Sequence, residues 1–176
     1  MFNGIIFNSG KVKKIKKRSK GINLFLETSL KLKKKDLGMS IACDGVCLTL
    51  ISIKKKISEF YLSNETLSKS KFKSVKLGDI INLELPLKYG QDVSGHICQG
   101  HVDTIGILKS LKIEDKSKVF KFVISLKFKK YLVEKASILI NGVSLTISNI
   151  KKNSFEIWVI PHTLKLTNLK LLKIDD

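Results

Sequence analysis

The chain has 176 residues, is 43% apolar, and carries a formal net charge of +18 at pH 7. That apolar share is enough for one large core or two small ones and excludes disorder; with no apolar run long enough to cross a bilayer, a soluble cytoplasmic protein without a membrane partner is expected. Three cysteines, Cys43, Cys47 and Cys98, are a small odd set that argues against a disulfide framework, and a single arginine (Arg18) among 33 basic residues argues against nucleic acid, where forked phosphate and guanine contacts favour arginine.

In chain order, Met1 to Ile6 reads as a strand that begins at the first residue. Lys11 to Lys20 carries seven basic residues in ten and reads as a solvated hairpin loop, with a localisation signal or phosphate patch as the sharper readings. Ile22, Leu24 and Leu26 alternate with Asn23, Phe25 and Glu27, a strand pattern. Ser40 to Leu50 then reads as a hairpin around Asp44-Gly45, a dipeptide that accepts positive φ at both central positions. Alternation puts Cys47 and Thr49 on one face of its second strand and Leu48 on the other. Glu59 to Leu62 is a further strand, followed by Ser63-Asn64-Glu65-Thr66-Leu67. Ile80 to Leu85 closes the half after a turn at Gly78-Asp79. Pro86 to Gly95 is a linker by composition.

The second half replays the first. Gly100 to Gly106 parallels Gly4 to Gly10. Phe120 to Phe128 alternates as one half-buried strand, and Tyr131 to Ala136 reads as one or two helical turns. Ser137 to Ile147 repeats the hairpin around Asn141-Gly142, with Ser144, Leu145 and Thr146 in place of Cys47, Leu48 and Thr49. Phe155 to Ile160 is a strand, and His162-Thr163-Leu164 repeats Glu65-Thr66-Leu67. The offset is 97 from Ser40 to Ser137 and 96 from Gly4 to Gly100, which points to duplication. Short strands with Gly, Asn and Asp turns imply an all-β fold of two tandem antiparallel barrels, 1–90 and 96–176. A polar pair beside a hairpin turn, present twice, reads as one binding site built twice; hydroxyls there also satisfy strand ends. His101 reads either as a hydrogen-bonded structural histidine or as a proton-transfer group. Cys43, Cys47, Cys98, His96 and His101 hold enough ligand types for zinc, but the Cys-x-x-x-Cys spacing is wrong for it, so no metal is expected, and His96 and Cys98 read as ordinary interior residues.

Four segments in order, Met1-Phe2-Asn3-Gly4-Ile5, Ser40 to Thr49, Gly95-His96-Ile97-Cys98-Gln99-Gly100-His101-Val102-Asp103 and Ile160 to Leu164, resemble the riboflavin synthase family, alpha-chain type. The resemblance runs from Met1 to about Leu169. It implies two six-stranded Greek-key barrels, a homotrimer, and dismutation of two molecules of 6,7-dimethyl-8-ribityllumazine by transfer of a four-carbon unit, giving riboflavin and 5-amino-6-ribitylaminouracil without metal or organic cofactor. It places each site between the N-terminal barrel of one chain and the C-terminal barrel of a neighbour. It implies proton transfer by His101 from the acidic 7-methyl group. Ser144 and Thr146 would contact the substrate in the second barrel, Cys47 and Thr49 that in the first, with Ser40 and Lys135 close by. Gly4, Ile5, Ile6, Leu48, Gly100, Val102 and Leu145 fall in the same motifs. The loops Tyr61, Leu62, Ser63, Asn64, Glu65, Thr66 and Ile160, Pro161, His162, Thr163, Leu164, Lys165 match segments that read the pteridine edge through backbone groups. A non-catalytic lumazine or flavin carrier on the same fold is the alternative.

The sequence departs from the family in two places. Ala136 stands where the family has a glycine after the lysine. The second copy also shows no counterpart of the Gly78-Asp79 turn and the strand after it, so its barrel is expected to lack one strand and keep an open edge.

Overall fold

In the computed structural model, which describes residues 1–176, the first half closes into a six-stranded barrel and the second forms a five-stranded sheet. The barrel uses β1 (Asn8–Arg18), β2 (Gly21–Thr28), β3 (Ser40–Cys43), β4 (Val46–Lys54), β5 (Ile57–Ser63) and β6 (Ile80–Glu84), paired in the order β1-β2-β5-β4-β3-β6. The second sheet uses β7 (Ile107–Glu114), β8 (Ser117–Val123), β9 (Ser137–Ile140), β10 (Val143–Lys151) and β11 (Ser154–Val159), in the order β7-β8-β11-β10-β9. This is the first order without its sixth strand, as the sequence leads one to expect. Even the bulges recur: between Val12 and Lys14 and between Leu50 and Ser52 in the barrel, between Leu108 and Ser110 and between Ile147 and Asn149 in the second sheet. Two short helices, α1 (Asn64–Lys69) and α2 (Pro161–Leu166), follow β5 and β11.

Each unit has its own apolar core. Leu24, Leu26, Ile41, Leu48, Leu50, Phe60, Leu62, Ile81 and Leu83 fill the barrel; Leu108, Phe120, Phe122, Ile147, Phe155 and Ile157 pack on the inner face of the second sheet. A third small cluster, Phe2, Ala42 and Cys98, lies between them.

Several local expectations are corrected. No strand starts at residue 1: Phe2 makes one isolated bridge to Cys98, Gly4 sits at φ +75°, and β1 begins only at Asn8. The basic stretch is not a loop. β1 pairs with β2 as far as Arg18 against Gly21, so only Ser19 and Lys20 form the turn. Val12 and Ile15 pack on the core while the lysines point to water. Phe120 to Phe128 is not one strand either. β8 ends at Val123, where the β7 and β11 ladders end, and Phe128 reaches the core from a 3₁₀ turn over Leu126–Tyr131. That turn lies ahead of the expected helical Tyr131 to Ala136. The Gly78-Asp79 turn does have a counterpart. The Gly78 N–H donates to the Val12 carbonyl and the Val12 N–H to that of Asp79; Asp175 and Asp176 make the same pair with Leu108. The Asp79 carboxylate caps the Lys76 N–H as that of Asp176 caps Lys173. Gly masks this likeness in the sequence: Asp175 takes the left-handed φ of +73° that Gly78 takes at +91°.

Candidate functional site

The two hairpins place the expected polar pairs. In β3–β4, Ser40 lies opposite Thr49 and Ala42 opposite Cys47; in β9–β10, Ser137 lies opposite Thr146 and Leu139 opposite Ser144. Opposed residues share a face, so Cys47 and Thr49, and likewise Ser144 and Thr146, point outward. Leu48 is buried in the first core and Leu145 packs against the second. Both turns have positive φ at both central residues, 47° and 81° for Asp44-Gly45 and 47° and 79° for Asn141-Gly142. The turns abut: a Cβ on Gly45 would fall 2.9 Å from the Gly142 nitrogen.

Sequence reasoning missed an exchange of segments. Gly4 precedes the first barrel, yet its carbonyl accepts the Ser144 N–H of β10 at 2.8 Å. Gly100 precedes the second sheet, yet its carbonyl accepts the Cys47 N–H of β4 at 2.8 Å. Phe2 and Cys98, equivalent residues of the two copies, bond to each other through both backbone N–H groups at 2.9 Å. Ile6 is buried in the second core, and Val102 packs against the first. Each polar pair is therefore completed by a strand lead-in from the other unit. Glu84 fixes the first lead-in by accepting from the Asn3 N–H at 2.8 Å and the Gly4 N–H at 3.0 Å. Burial nevertheless holds the Glu84 carboxyl above its ordinary value, against the pull of those amides.

Gly4 cannot carry a side chain at this crossing. A Cβ would lie 2.7 Å from that of Ser144, in a left-handed conformation. Gly4→Ala is expected to cost roughly 2–4 kcal/mol, read as a lower urea midpoint at unchanged slope. Gly90→Ala, at φ +82° but in open space, carries the backbone cost alone, about 1 kcal/mol.

Each polar strand also parts from its neighbour at the same point. The β4–β5 ladder runs from Lys54 to Leu50 and stops short of Thr49; the β10–β11 ladder runs from Lys151 to Ile147 and stops short of Thr146. Beyond the first break β5 continues through Tyr61 and Leu62 to Ser63, whose side chain caps α1 by accepting from the Thr66 N–H. Beyond the second, Ile160 leads into α2 with Pro161 at its first position. The polar strand is thus unpaired on this side in both units, at equivalent places that are two candidate slots. One has Cys47, Thr49 and Ser40 on one side and Tyr61 to Thr66 on the other. The second has Ser144 and Thr146 facing Ile160 to Lys165.

The remaining expected residues fall less uniformly. Leu62 is buried in the first core, and Leu164 packs against the second, so they offer a slot only their backbone. The Tyr61 hydroxyl donates to the Lys20 carbonyl. Asn64, Glu65, Pro161, His162 and Lys165 are exposed and Thr163 half-buried. Lys135 is exposed at φ +66°, its N–H donating to the Ile147 carbonyl. His101 is exposed and borders a cleft of about 910 Å³. That cleft runs from the inner face of the second sheet, at Phe122, Ile138, Ile140 and Phe155, to Asp44, Lys71 and Val75 of the first unit, with His96 also on its wall, and the second sheet is open between β7 and β9. In the barrel β6 fills the matching position with Ile81 and Leu83.

His96 is not the interior residue expected of it. It is half-buried, and its Nδ1 lies 2.7 Å from the Ser144 hydroxyl. Burial pushes its imidazole below the usual value. Burial, and after it Glu84, pushes the Cys98 thiol up. Cys43, within the barrel core, is raised far above the ordinary thiol range by burial, which makes it inert.

Comparison with known proteins agrees with this doubling. The lumazine binding domain family matches twice, over residues 3–86 and 99–176. Riboflavin synthase of Buchnera aphidicola subsp. Baizongia pistaciae is 38% identical over 176 residues, covering 96% of this chain and 81% of that protein. Riboflavin synthase of Photobacterium leiognathi is 34% identical, covering 99% and 81%. Among solved structures, LumP complexed with riboflavin superposes with a TM-score of 0.89 at 22% identity, over 100% of this chain and 96% of that one, a likeness of fold. The chain therefore belongs to the riboflavin synthase family of enzymes, built from two lumazine-binding domains.

Proposed function

We propose that the protein is a cytoplasmic riboflavin synthase that dismutates two molecules of 6,7-dimethyl-8-ribityllumazine, moving a four-carbon unit from one to the other to give riboflavin and 5-amino-6-ribitylaminouracil. The observation that carries this reading is the pair of equivalent hairpins, each keeping its polar pair: Cys47 with Thr49, Ser144 with Thr146. A reaction between two like molecules needs two like sites, and a carrier of one chromophore needs only one. Each unit, 1–90 and 96–176, takes one lumazine. The strand Cys47 to Thr49, with Gly100 to Val102 laid beside it, holds one substrate. The strand Ser144 to Thr146, with Gly4 to Ile6 laid beside it, holds the other. Backbone groups of Tyr61 to Thr66 and Ile160 to Lys165 bind the heterocycle edge. His101 takes a proton from the 7-methyl group, whose anion delocalises into the ring. Most of the rate comes from holding two flat rings in register, which in a homotrimer is done by bringing the first slot of one chain against the second slot of the next.

Incubation with the lumazine at neutral pH, following riboflavin absorbance, tests the reading. Riboflavin should appear at half the rate at which lumazine is consumed. Saturable lumazine binding without turnover would support the carrier instead.

A further inference from the structure

Two identical substrates must play different parts, one giving and one receiving the four-carbon unit, yet the two slots are near copies. Beyond the exchanges of Cys47 for Ser144, Glu65 for His162 and Ile5 for His101, the structure holds a difference in what touches the first of these pairs. Ser144 has an imidazole on its hydroxyl, with His96 Nδ1 at 2.7 Å. Cys47 has none: its thiol is free and makes no side-chain hydrogen bond.

The contact is built. The His96 N–H donates to the Asn3 carbonyl at 3.1 Å, and Asn3 is itself held by Glu84 at 2.8 Å. The carbonyl of His96 accepts from the Cys98 thiol at 3.0 Å. Gly95 has to be glycine for this approach, since a Cβ there would collide with the Asn3 carbonyl and lie 3.1 Å from the Ser144 hydroxyl. Ring and hydroxyl are thus fixed from both sides, and the Ser144 backbone is fixed by Gly4.

We propose that His96 is a positioning residue of the second slot, holding the Ser144 hydroxyl as a pure acceptor toward the lumazine bound there. This rests on the functional reading above. A neutral imidazole protonated at Nε2 leaves Nδ1 to accept the Ser144 O–H, so both serine lone pairs face outward. They take a hydrogen bond from a ribityl hydroxyl or a ring N–H of the substrate. Protonation of His96 reverses the pair: Nδ1–H then donates to Ser144, and the hydroxyl hydrogen turns outward against the substrate's own donor. The second slot therefore binds its lumazine in a proton-dependent way that the first does not share.

The charged and titratable groups around the ring do not displace this equilibrium. Along its own segment they are Lys88, Tyr89, Asp92, Cys98, His101 and Asp103, and across the shared cleft Asp44, Lys71, Lys76 and Asp79. From the N-terminal lead-in come the Met1 ammonium and, through Asn3, Glu84. β10 carries no charge before Lys151. The cause acting on His96 is burial, which keeps it neutral at cytoplasmic pH and sets its transition below the ordinary imidazole value of about 6.5.

The test is steady-state kinetics with 6,7-dimethyl-8-ribityllumazine between pH 5 and 8 on the wild type, His96→Ala, His96→Asn, Ser144→Ala and the Ala/Ala double variant. For the wild type KM should rise about tenfold toward acid pH, the worth of one hydrogen bond. His96→Ala should raise KM about tenfold at pH 7.5 and flatten that acid limb. His96→Asn, which offers an amide near the Nδ1 position without titrating, should recover KM to within about threefold and stay flat. The double variant should be no worse than Ser144→Ala alone. An acid limb in KM that survives in both His96 variants, or additive losses in the double variant, would overturn the pairing. A wild-type chain that turns over no lumazine would overturn the functional reading itself, and the inference with it.

Discussion

Replacing His101 with glutamine is expected to lower kcat by about a hundredfold or more while leaving lumazine affinity within a few-fold. The geometry supports a group that acts on substrate and not on the fold. His101 is exposed and makes no hydrogen bond within the chain, whereas Gly100 beside it is tied to Cys47 at 2.8 Å. The backbone beside Cys47 thus holds the imidazole at a fixed point with its ring free of hydrogen bonds. Glutamine keeps one donor and one acceptor near the Nε2 position but cannot take a proton, so binding survives and proton removal does not. This separates the two histidines, since His96 is expected to act on KM and His101 on kcat. Equal losses in affinity and turnover would instead assign His101 a positional role. Stopped-flow absorbance gives kcat, and lumazine fluorescence gives affinity.

Much of the site was legible because strand alternation has a period of two and the duplication repeats it. Cys47, Thr49, Ser144 and Thr146 fall on the outer face for that reason alone, and Leu48 and Leu145 fall inward. Alternation fails at a bulge. The shift between Val12 and Lys14 puts Val12 and Ile15, three apart, on the same side of the sheet, so β1 reads as a lysine-rich loop. It misleads in the other direction at Phe128, which faces the core from a 3₁₀ turn after the ladder has ended. The lead-in exchange was out of reach for a different reason. The Gly4–Ser144 and Gly100–Cys47 bonds join residues far apart in sequence, and no local pattern encodes which unit a lead-in rests on. The same holds for His96. Its partner is 48 residues away, and the signal that could have found it was Gly95, a glycine with no turn to make whose missing side chain clears the approach.

Asn168→Ala is expected to be the costliest polar substitution for stability, about 2–4 kcal/mol by urea denaturation, because this side chain clasps the two units together. Asn168 is buried. Its N–H donates to Asn82 Oδ1 and its Oδ1 accepts from Asn82 Nδ2, both at 2.8 Å. Its Nδ2 donates to Asp44 Oδ1 and to the Ile80 carbonyl, again at 2.8 Å. Asn82 Nδ2 also reaches the carbonyl of Asn141, so the clasp joins both hairpin turns. Alanine leaves the Ile80 carbonyl without this donor and Asp44 Oδ1 with the Asn82 N–H alone. Asn149→Ala, on the exposed face of β10, should stay within about 0.5 kcal/mol. The cost should also depend on pH. Burial raises the Asp44 carboxyl above its unfolded value, while Lys71, with Nζ 2.8 Å from Oδ2, and the amides of Asn82 and Asn168 pull it back. A raised carboxyl contributes stability in full below its unfolded value and loses it as pH rises through the folded one. Removing Asn168 raises Asp44 further, so the deficit should be larger at pH 7 than near pH 4. A cost that is the same at both pH values would assign the loss to the Asn82 pair and not to Asp44. No cost at either would mean that the units are held by their abutting turns and the Phe2–Cys98 bridge, without the clasp.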